Sequence, residues 1–163
     1  MAIEIVYANE KYFESYRETL DKVSKEKIYL LLLAAPNIED VASFQMNAIN
    51  KNTPVYYAID DEKVIGWCDT TPKINNQHKH RASLGMGILP EYRGKGIGTK
   101  LIQANLDHAK KIGLEKIELD VFTSNTRAIA LYKKIGFIEE GLIKNYRKLD
   151  NEYFDCLIMG RFL

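Results

Sequence analysis

Apolar residues recur along the chain with two different periods, and together these periods predict a mixed order of strands and helices. Residues 2–7 (AIEIVY) alternate as a first strand, and residues 9–24 carry aromatic and aliphatic side chains along one helical stripe. A second helix begins after Asn37, because asparagine accepts hydrogen bonds from the free amides of a helix start. Residues 54–60 and 63–72 then predict two strands joined by an acidic turn.

The second half of the chain alternates strand and helix. A strand at 81–89 is followed by a helix at about 96–112, a strand at 115–122 and a helix at 125–135. Both helices end in KKIG followed by an apolar residue, which is typical of a glycine C-cap with cations near the negative end of the helix dipole. The chain closes in a predicted hairpin that turns at Asp150–Asn151.

This order predicts an α+β fold in a single domain over residues 1–163. We expect one twisted, mixed, mostly antiparallel sheet of about seven strands, flanked by about four helices. The strand–helix–strand segment between 83 and 122 is expected to be a right-handed parallel crossover.

Composition narrows the function classes. The 163 residues are 46% hydrophobic and 28% charged, as in an ordinary globular protein, and the net charge of +1 carries no broad electrostatic footprint. We therefore expect neither nucleic acid nor a membrane as partner. The acidic start lacks a signal core and the apolar run at 28–36 is too short to cross a bilayer, which favours a cytoplasmic protein. Cys68 and Cys156 are expected to be core thiols, with a disulfide as the open alternative.

The segment LPEYRGKGIGTKLI (89–102) raises the main chemical question, because three glycines stand at alternate positions directly before a helix. The free amides of a helix start bind anions, and glycine lets the backbone approach a bulky anion such as a pyrophosphate. Two known phosphate-binding motifs do not fit the spacing. The dinucleotide fingerprint would need a glycine where Thr99 or Leu101 stands, and the Walker loop would need Gly-Lys-Ser/Thr where the chain has Thr99, Lys100 and Leu101.

At these residues the sequence resembles the GNAT superfamily of N-acetyltransferases. RGKGIG matches that family's acyl-CoA signature, and SNTRAIALYKKIGFIEEG resembles its second motif. The ordered pair covers residues 83–141. GWCD and the ending DNEYFDCLIMG are similar to a bacterial subgroup that acetylates small amines, including phosphinothricin-like and amino-acid acetyltransferases. That subgroup usually has glycine where this chain has Asn151, which also tolerates positive φ.

The resemblance implies acetyl-CoA as co-substrate and assigns it a set of residues. Backbone amides of the glycine loop would hold the pyrophosphate. The strand before that loop would bind the pantetheine arm in a gap between splayed strands. The helix at 125–135 would complete the site. The implied residues are Met86, Gly87, Ile88, Arg93, Gly94, Lys95, Gly96, Ile97, Gly98, Asn125 and Tyr132. For Asn125 a plain N-cap is an equally good interpretation.

Tyr132 is the implied general acid. Its spacing from Ala128 and Ile135 by itself indicates a core aromatic residue, whereas the family match places at this position the tyrosine that protonates the leaving thiolate.

The general base is open. Asp69, Glu118 and Asp120 are candidates, and each also fits a solvated strand carboxylate. Keeping a lysine-like amine neutral at pH 7 costs about 4.6 kcal/mol, against about 1.4 kcal/mol for an α-amine of pKa near 8. A weak base therefore favours α-amino acceptors.

We expect no metal, since His78 and His80 have no further ligands at suitable spacing. Tyr12, Phe13, Tyr16, Tyr29 and Phe44 are expected to pack in the core or line an acceptor pocket. The sequence thus predicts direct transfer of an acetyl group from acetyl-CoA to the primary amine of a small, amino-acid-like molecule. The alternatives are a protein N-terminal or lysine acetyltransferase and a non-catalytic acyl-CoA-binding module. The state of assembly stays open, with a homodimer as one alternative.

Overall fold

The structure, a computed structural model, describes residues 2–163 and contains its elements in the predicted order. Short 3₁₀ turns at Glu10–Tyr12 and Pro90–Tyr92 were not predicted. The strands and α-helices are β1 (Glu4–Tyr7), α1 (Phe13–Lys25), α2 (Ile38–Asn50), β2 (Val55–Asp60), β3 (Lys63–Pro72), β4 (Arg81–Ile88), α3 (Ile97–Lys111), β5 (Lys116–Phe122), α4 (Thr126–Ile135), β6 (Ile138–Leu149) and β7 (Glu152–Phe162).

All seven strands form one sheet in the order β1-β2-β3-β4-β5-β7-β6. Every neighbouring pair is antiparallel except β4 and β5, which are parallel and joined through α3. The predicted α+β class and the single mixed sheet are therefore confirmed.

The parallel pair β4–β5 separates soon after it begins. Pairing covers only Arg81–Ser83 against Lys116–Glu118, although β4 continues to Ile88 and β5 to Phe122. Beyond Ser83 the edge of β4 that faces β5 has no ladder partner, while its other edge stays paired with β3. The result is a gap in the middle of the sheet, bounded by unpaired backbone groups that an extended ligand can use.

Helices cover both faces of the sheet. On one face Tyr16 of α1 stacks on Tyr57 of β2 and meets Trp67 of β3 edge-on. On the other face Asn105 of α3 binds the Cys68 carbonyl and accepts a bond from Thr70. Because successive strand residues point to opposite faces, these contacts place α1 and α3 on opposite sides of the sheet.

The helix ends and the final hairpin follow local rules. Asn37 caps α2 by accepting a hydrogen bond from the Asp40 amide at 2.8 Å. Gly113 and Gly136 end α3 and α4 with φ of +87° and +109°. Asp150 and Asn151 both have positive φ, as the tight turn between β6 and β7 requires.

Candidate active site

The glycine loop before α3 needs its glycines for two physical reasons. Gly94 and Gly96 have φ of +76° and +78°, a region that side chains rarely adopt. Gly98 instead lies where helices and sheet meet closely, since a Cβ there would lie 3.0 Å from a methyl group of Leu131 and 3.3 Å from the Met86 methyl carbon. The first two glycines shape the loop, and the third lets α3 pack.

The loop presents a row of free donors. Gly96 is the N-cap of α3 and has no side chain to satisfy the first amides of the helix. No backbone N–H of residues 94–99 has an acceptor within residues 2–163. Several unpaired amides thus lie together at the positive end of the α3 dipole, which fits a pyrophosphate.

The two basic side chains of the loop have different surroundings. Arg93 forms a two-pronged ion pair with Glu26 at the end of α1 and also donates to the Ile88 carbonyl. Lys95 lies beside the Tyr92 ring, with its Nζ 5.2 Å from the ring centroid. The Arg93 guanidinium is thus already paired, whereas the Lys95 ammonium has no hydrogen-bond partner within residues 2–163.

A cavity of about 670 Å³ opens in front of these amides, and we call it the glycine-loop cavity. Its wall contains every residue that the sequence assigned to the cofactor except Lys95. Met86, Gly87 and Ile88 come from the unpaired edge of β4, and Asn125 and Tyr132 come from the start and middle of α4. Asn125 also caps α4, because its Oδ1 accepts from the Ala128 amide at 3.3 Å.

Tyr132 is mostly buried, with its ring edge-on to Phe137 and its side chain in the wall of the glycine-loop cavity. Its hydroxyl has no hydrogen-bond partner in the described part of the chain. Burial raises the pKa of the Tyr132 phenol above its ordinary value of 10.0. The hydroxyl therefore stays protonated and is a free donor.

A second cavity of about 570 Å³ lies on the α1–α2 face of the sheet, and we call it the apolar cavity. Apolar and aromatic side chains from α1, α2, the loop between them (residues 26–37) and β3–β5 dominate its wall, which also carries the carboxylates of Asp40, Asp69 and Asp120. Tyr29 and Met86 belong to the walls of both cavities. The two cavities therefore meet at the gap between β4 and β5.

Asp69 lies on the floor of the apolar cavity, where β3 pairs with Gly85 of β4. Its side chain is partly exposed to the cavity and otherwise enclosed by apolar groups. Burial raises the pKa of the Asp69 carboxyl to about 7, and the neighbouring Trp67 indole limits that rise. Asp69 can thus exchange a proton near neutral pH.

The other two carboxylates have different surroundings. Glu118 lies outside both cavities and binds Arg81 through two hydrogen bonds of 2.8 and 2.9 Å, with Lys116 nearby. Burial alone would raise the pKa of Glu118, but these cations lower it below its ordinary value. Asp120 lines the apolar cavity and accepts a bond from the Tyr146 hydroxyl at 3.3 Å.

Sequence reasoning missed the loop over residues 26–37. The sequence indicates of its leucine run only that it is too short to cross a bilayer, yet Leu30, Leu31 and Leu32 line the apolar cavity without forming a helix or strand. An apolar run with neither helical nor strand period is the one signal that could have indicated it. Of the five amino-terminal aromatic residues, Tyr16, Tyr29 and Phe44 line this cavity, whereas Tyr12 and Phe13 do not.

The remaining reactive residues form no further centre. Cys68 and Cys156 are both free and buried, and burial raises the pKa of each thiol. His78 contacts Arg81, and residues 2–163 hold no cluster of three or more metal-ligating side chains. None of the helices in this range is both long and apolar enough to cross a bilayer.

Comparisons with known proteins find relatives of this chain in sequence and in fold. Residues 13–137 match the model of the acetyltransferase (GNAT) family. The chain is 26% identical to the L-amino acid N-acetyltransferase AaaT of Escherichia coli K12, over 98% of this chain and 97% of that protein. It is 35% identical to N-alpha-acetyltransferase 30 of Schizosaccharomyces pombe, over 66% of this chain and 69% of that protein. A GNAT phosphinothricin acetyltransferase from Sinorhizobium meliloti, solved in complex with AcCoA, has the same fold, with a TM-score of 0.92 at 21% identity over 100% of this chain and 89% of that one.

Proposed function

The chain belongs to the GNAT family of acetyltransferases, and from this premise we propose that it transfers an acetyl group from acetyl-CoA directly to the α-amine of a small, amino-acid-like molecule. The observation that carries the proposal is the meeting of the two cavities at Met86 and Tyr29. One cavity presents free amides to a phosphate group, and the other presents a carboxyl of pKa about 7 to an amine.

The glycine-loop cavity is proposed to bind acetyl-CoA, which supplies the acetyl thioester. The amides of residues 94–99 would hold its pyrophosphate, since several N–H groups and the helix dipole meet there. The edge of β4 at Met86–Ile88, where β5 no longer pairs and the Ile88 carbonyl already accepts from Arg93, would hold the amide-bearing arm by hydrogen bonds like those of an added strand. Both interactions position the cofactor.

Asp69 and Tyr132 are proposed to move protons at the two ends of the reaction. Asp69 takes a proton from the ammonium of the acceptor, which frees the nitrogen lone pair to attack the thioester carbonyl carbon. As the carbon–sulfur bond breaks, Tyr132 donates its hydroxyl proton to the leaving sulfur, and the second proton that the nitrogen loses on becoming an amide restores the phenol. A free thiol has a pKa near 8.5, so this acid assists departure without being indispensable.

The pKa of Asp69 suits an α-amine. Proton transfer from an ammonium of pKa near 8 to a carboxylate of pKa about 7 is nearly balanced, whereas a lysine ammonium near 10.4 lies more than three units away. The overall likeness to an L-amino acid N-acetyltransferase supports the same acceptor class.

Acetylation of protein N-termini is the second candidate. The observation that favours it is the 35% identity to an N-alpha-acetyltransferase across two thirds of the chain. A peptide amino terminus is also an α-amine, so the pKa of Asp69 does not separate the two candidates. The α-carboxylate separates them, because a free amino acid carries a carboxylate next to its amine and a peptide amino terminus does not.

A thiol-release assay with acetyl-CoA tests the proposal against a panel of amino acids, polyamines, aminoglycosides and peptides. We expect turnover with free α-amino acids. Turnover with peptides alone would select the second candidate. Calorimetric binding of acetyl-CoA without turnover of any amine would indicate a binding module.

A further inference from the structure

Arg147 on β6 is a buried cation with almost no hydrogen bonds. Its side chain is 8% exposed and lies between two aromatic rings, with Cζ 4.3 Å from the centroids of both Phe122 and Phe154. Its single hydrogen bond runs from Nη1 to the Leu30 carbonyl and is long, at 3.5 Å. The Nε donor is buried without a partner, and no carboxylate within residues 2–163 forms an ion pair with this guanidinium.

Such an arginine is unusual because a buried charge is costly unless it is paired. The chain pairs its comparable arginines: Arg81 binds Glu118 and Arg93 binds Glu26, each through two hydrogen bonds to the carboxylate. At Arg147 the aromatic rings offset part of the charge but accept no N–H bonds. Its planar fork of donors therefore remains available for a carboxylate.

The position of Arg147 relates it to the apolar cavity. Both Leu30 and Phe122, which the guanidinium contacts, belong to the wall of that cavity. Asp120 lies two residues before Phe122 on the same strand face, about 6.6 Å along β5. Arg147 does not itself line the cavity: its guanidinium lies directly behind Leu30 and Phe122, and an acceptor would meet it past these two groups. The succession of the Asp120 carboxylate and this guanidinium suits a molecule that carries an ammonium and a carboxylate on one carbon.

Resting on the proposed function, we propose that Arg147 binds the α-carboxylate of the acceptor and that the acceptor is an α-amino acid with an apolar side chain. Asp69, which pairs with Gly85, and Asp120 both line the apolar cavity and would face the ammonium, while Leu31, Leu32 and Phe44 would provide the apolar surroundings of the side chain. Pairing with Arg147 also offsets the carboxylate charge that otherwise holds the proton on the ammonium. Binding of the carboxylate thereby eases deprotonation by Asp69.

The test compares L-leucine, L-methionine and L-phenylalanine with the corresponding amino acid amides, which lack the charged carboxylate. In the unaltered protein we expect kcat/KM for each acid to exceed that for its amide by about 10- to 100-fold, as a hydrogen-bonded charge pair provides. In Arg147→Gln the acid-to-amide ratio should fall by a similar factor, and in Arg147→Lys by less. An amino acid and its amide differ in amine pKa, but this difference affects the acid-to-amide ratio of kcat/KM equally in every variant. It therefore cancels when the ratios of two variants are compared. Lys148→Gln is the control, because Lys148 follows Arg147 on β6 but is exposed, with its ammonium beside the Tyr153 ring. This variant should keep the acid-to-amide ratio of the parent.

An unchanged ratio in Arg147→Gln would overturn the inference and leave Arg147 as a support for the loop at Leu30. Equal or better use of the amides by the unaltered protein would also overturn it, and this measurement does not depend on the folding of any variant. Both outcomes differ from failure of the proposed function, in which no α-amine, acid or amide, releases thiol from acetyl-CoA.

Discussion

The Asp69 carboxylate lies directly above Gly85 of the neighbouring strand, with Oδ1 3.6 Å from the point where a Cβ on Gly85 would lie. The contact occurs on β4 just after its pairing with β5 ends, so the carboxylate stands at the entrance to the gap. Because residue 85 has no side chain, nothing on β4 separates Asp69 from the gap. An acceptor amine in the apolar cavity can therefore reach both the carboxylate and the space between the strands.

Asp69→Asn is expected to reduce kcat/KM by about 10²- to 10⁴-fold, as loss of a general base does. Protonated Asp69 cannot accept a proton, so the activity of the unaltered enzyme should fall as the pH drops through about 7. The variant should lack this acidic limb. A pH profile of kcat/KM checks both points, and an unchanged limb in Asp69→Asn would assign the base elsewhere.

Thermal unfolding provides the control for this variant. The folded state raises the pKa of Asp69 from its ordinary value of 3.8, so the folded protein binds this proton more tightly than the unfolded chain does. Its stabilising contribution is complete below about pH 4 and is lost as the pH rises through about 7. Asp69→Asn should thus melt above the parent at pH 8 and close to it at pH 4. A variant that melts lower at pH 8 would indicate a structural role.

Glu118→Gln is expected to affect stability and to leave kcat/KM within about threefold of the parent. The carboxylate pairs with Arg81 outside both cavities, and this pairing lowers its pKa from 4.5. The ion pair therefore stabilises the fold above that pH, and its contribution is lost as the pH falls through the lower value. The melting temperature should be reduced at pH 7, with the difference narrowing below pH 4. A large loss of activity at an unchanged melting temperature would contradict this assignment.

Gly96→Asp should weaken acetyl-CoA binding by more than about 100-fold in calorimetry, because it brings a negative charge to the free amides of the α3 start. Gly113→Asp is a matched control: both glycines have positive φ and neither would place a Cβ within 4 Å of another group. Both variants should melt lower by similar amounts, and only Gly96→Asp should lose the cofactor. Gly98→Asp is less informative, since its side chain would also displace Leu131. Equal affinities in the two variants would remove the anion-binding role of the loop.

The features that could be predicted from the sequence depend on short stretches of chain. The glycines at 94 and 96, the Asn37 cap, the Gly136 helix end and the turn at Asp150–Asn151 each follow from the backbone conformation of a few adjacent residues. A local conformational rule acts on such residues whatever surrounds them. The order of strands and helices follows from periodicity for the same reason.

The features that escaped prediction depend on contacts between distant residues. Glu118 and Asp120 are two positions apart on the same strand face, yet Arg81, 37 residues away, neutralises only Glu118. Asp69 differs from both because Trp67 and Gly85 surround it in the folded sheet. The role of Arg147 depends likewise on Leu30, 117 residues before it. No local pattern distinguishes these side chains.

Tyr132→Phe is expected to lower kcat by about 10²-fold and to leave the affinity for acetyl-CoA and the melting temperature near those of the parent. The ring keeps its packing against Phe137, and the hydroxyl has no partner to lose. Because the pKa of this phenol is raised, the loss of kcat should be the same from pH 6 to 9.

Tyr57→Phe is the control: it removes a buried hydroxyl bonded to Gln45 at 2.8 Å and should reduce stability by about 1 kcal/mol at unchanged kcat. A Tyr132→Phe enzyme with parental kcat would return this residue to a packing role.

Leu32→Ser should raise the KM for the acceptor and leave the KM for acetyl-CoA unchanged. Leu32 and Leu33 are adjacent and almost equally exposed, at 45% and 44%, but only Leu32 lines the apolar cavity. Loss of one apolar side chain from a binding site weakens binding by about 10-fold, so an apolar acceptor should show an effect of that size and a short polar acceptor a smaller one.

Leu33→Ser is the control, because it removes the same kind of side chain from the same loop but outside the cavity. It should change neither KM. Since both leucines are exposed, both variants should melt like the parent. Equal effects of the two substitutions would mean that the loop acts through its general hydrophobicity, and an effect of Leu32→Ser on acetyl-CoA alone would reverse the assignment of the two cavities.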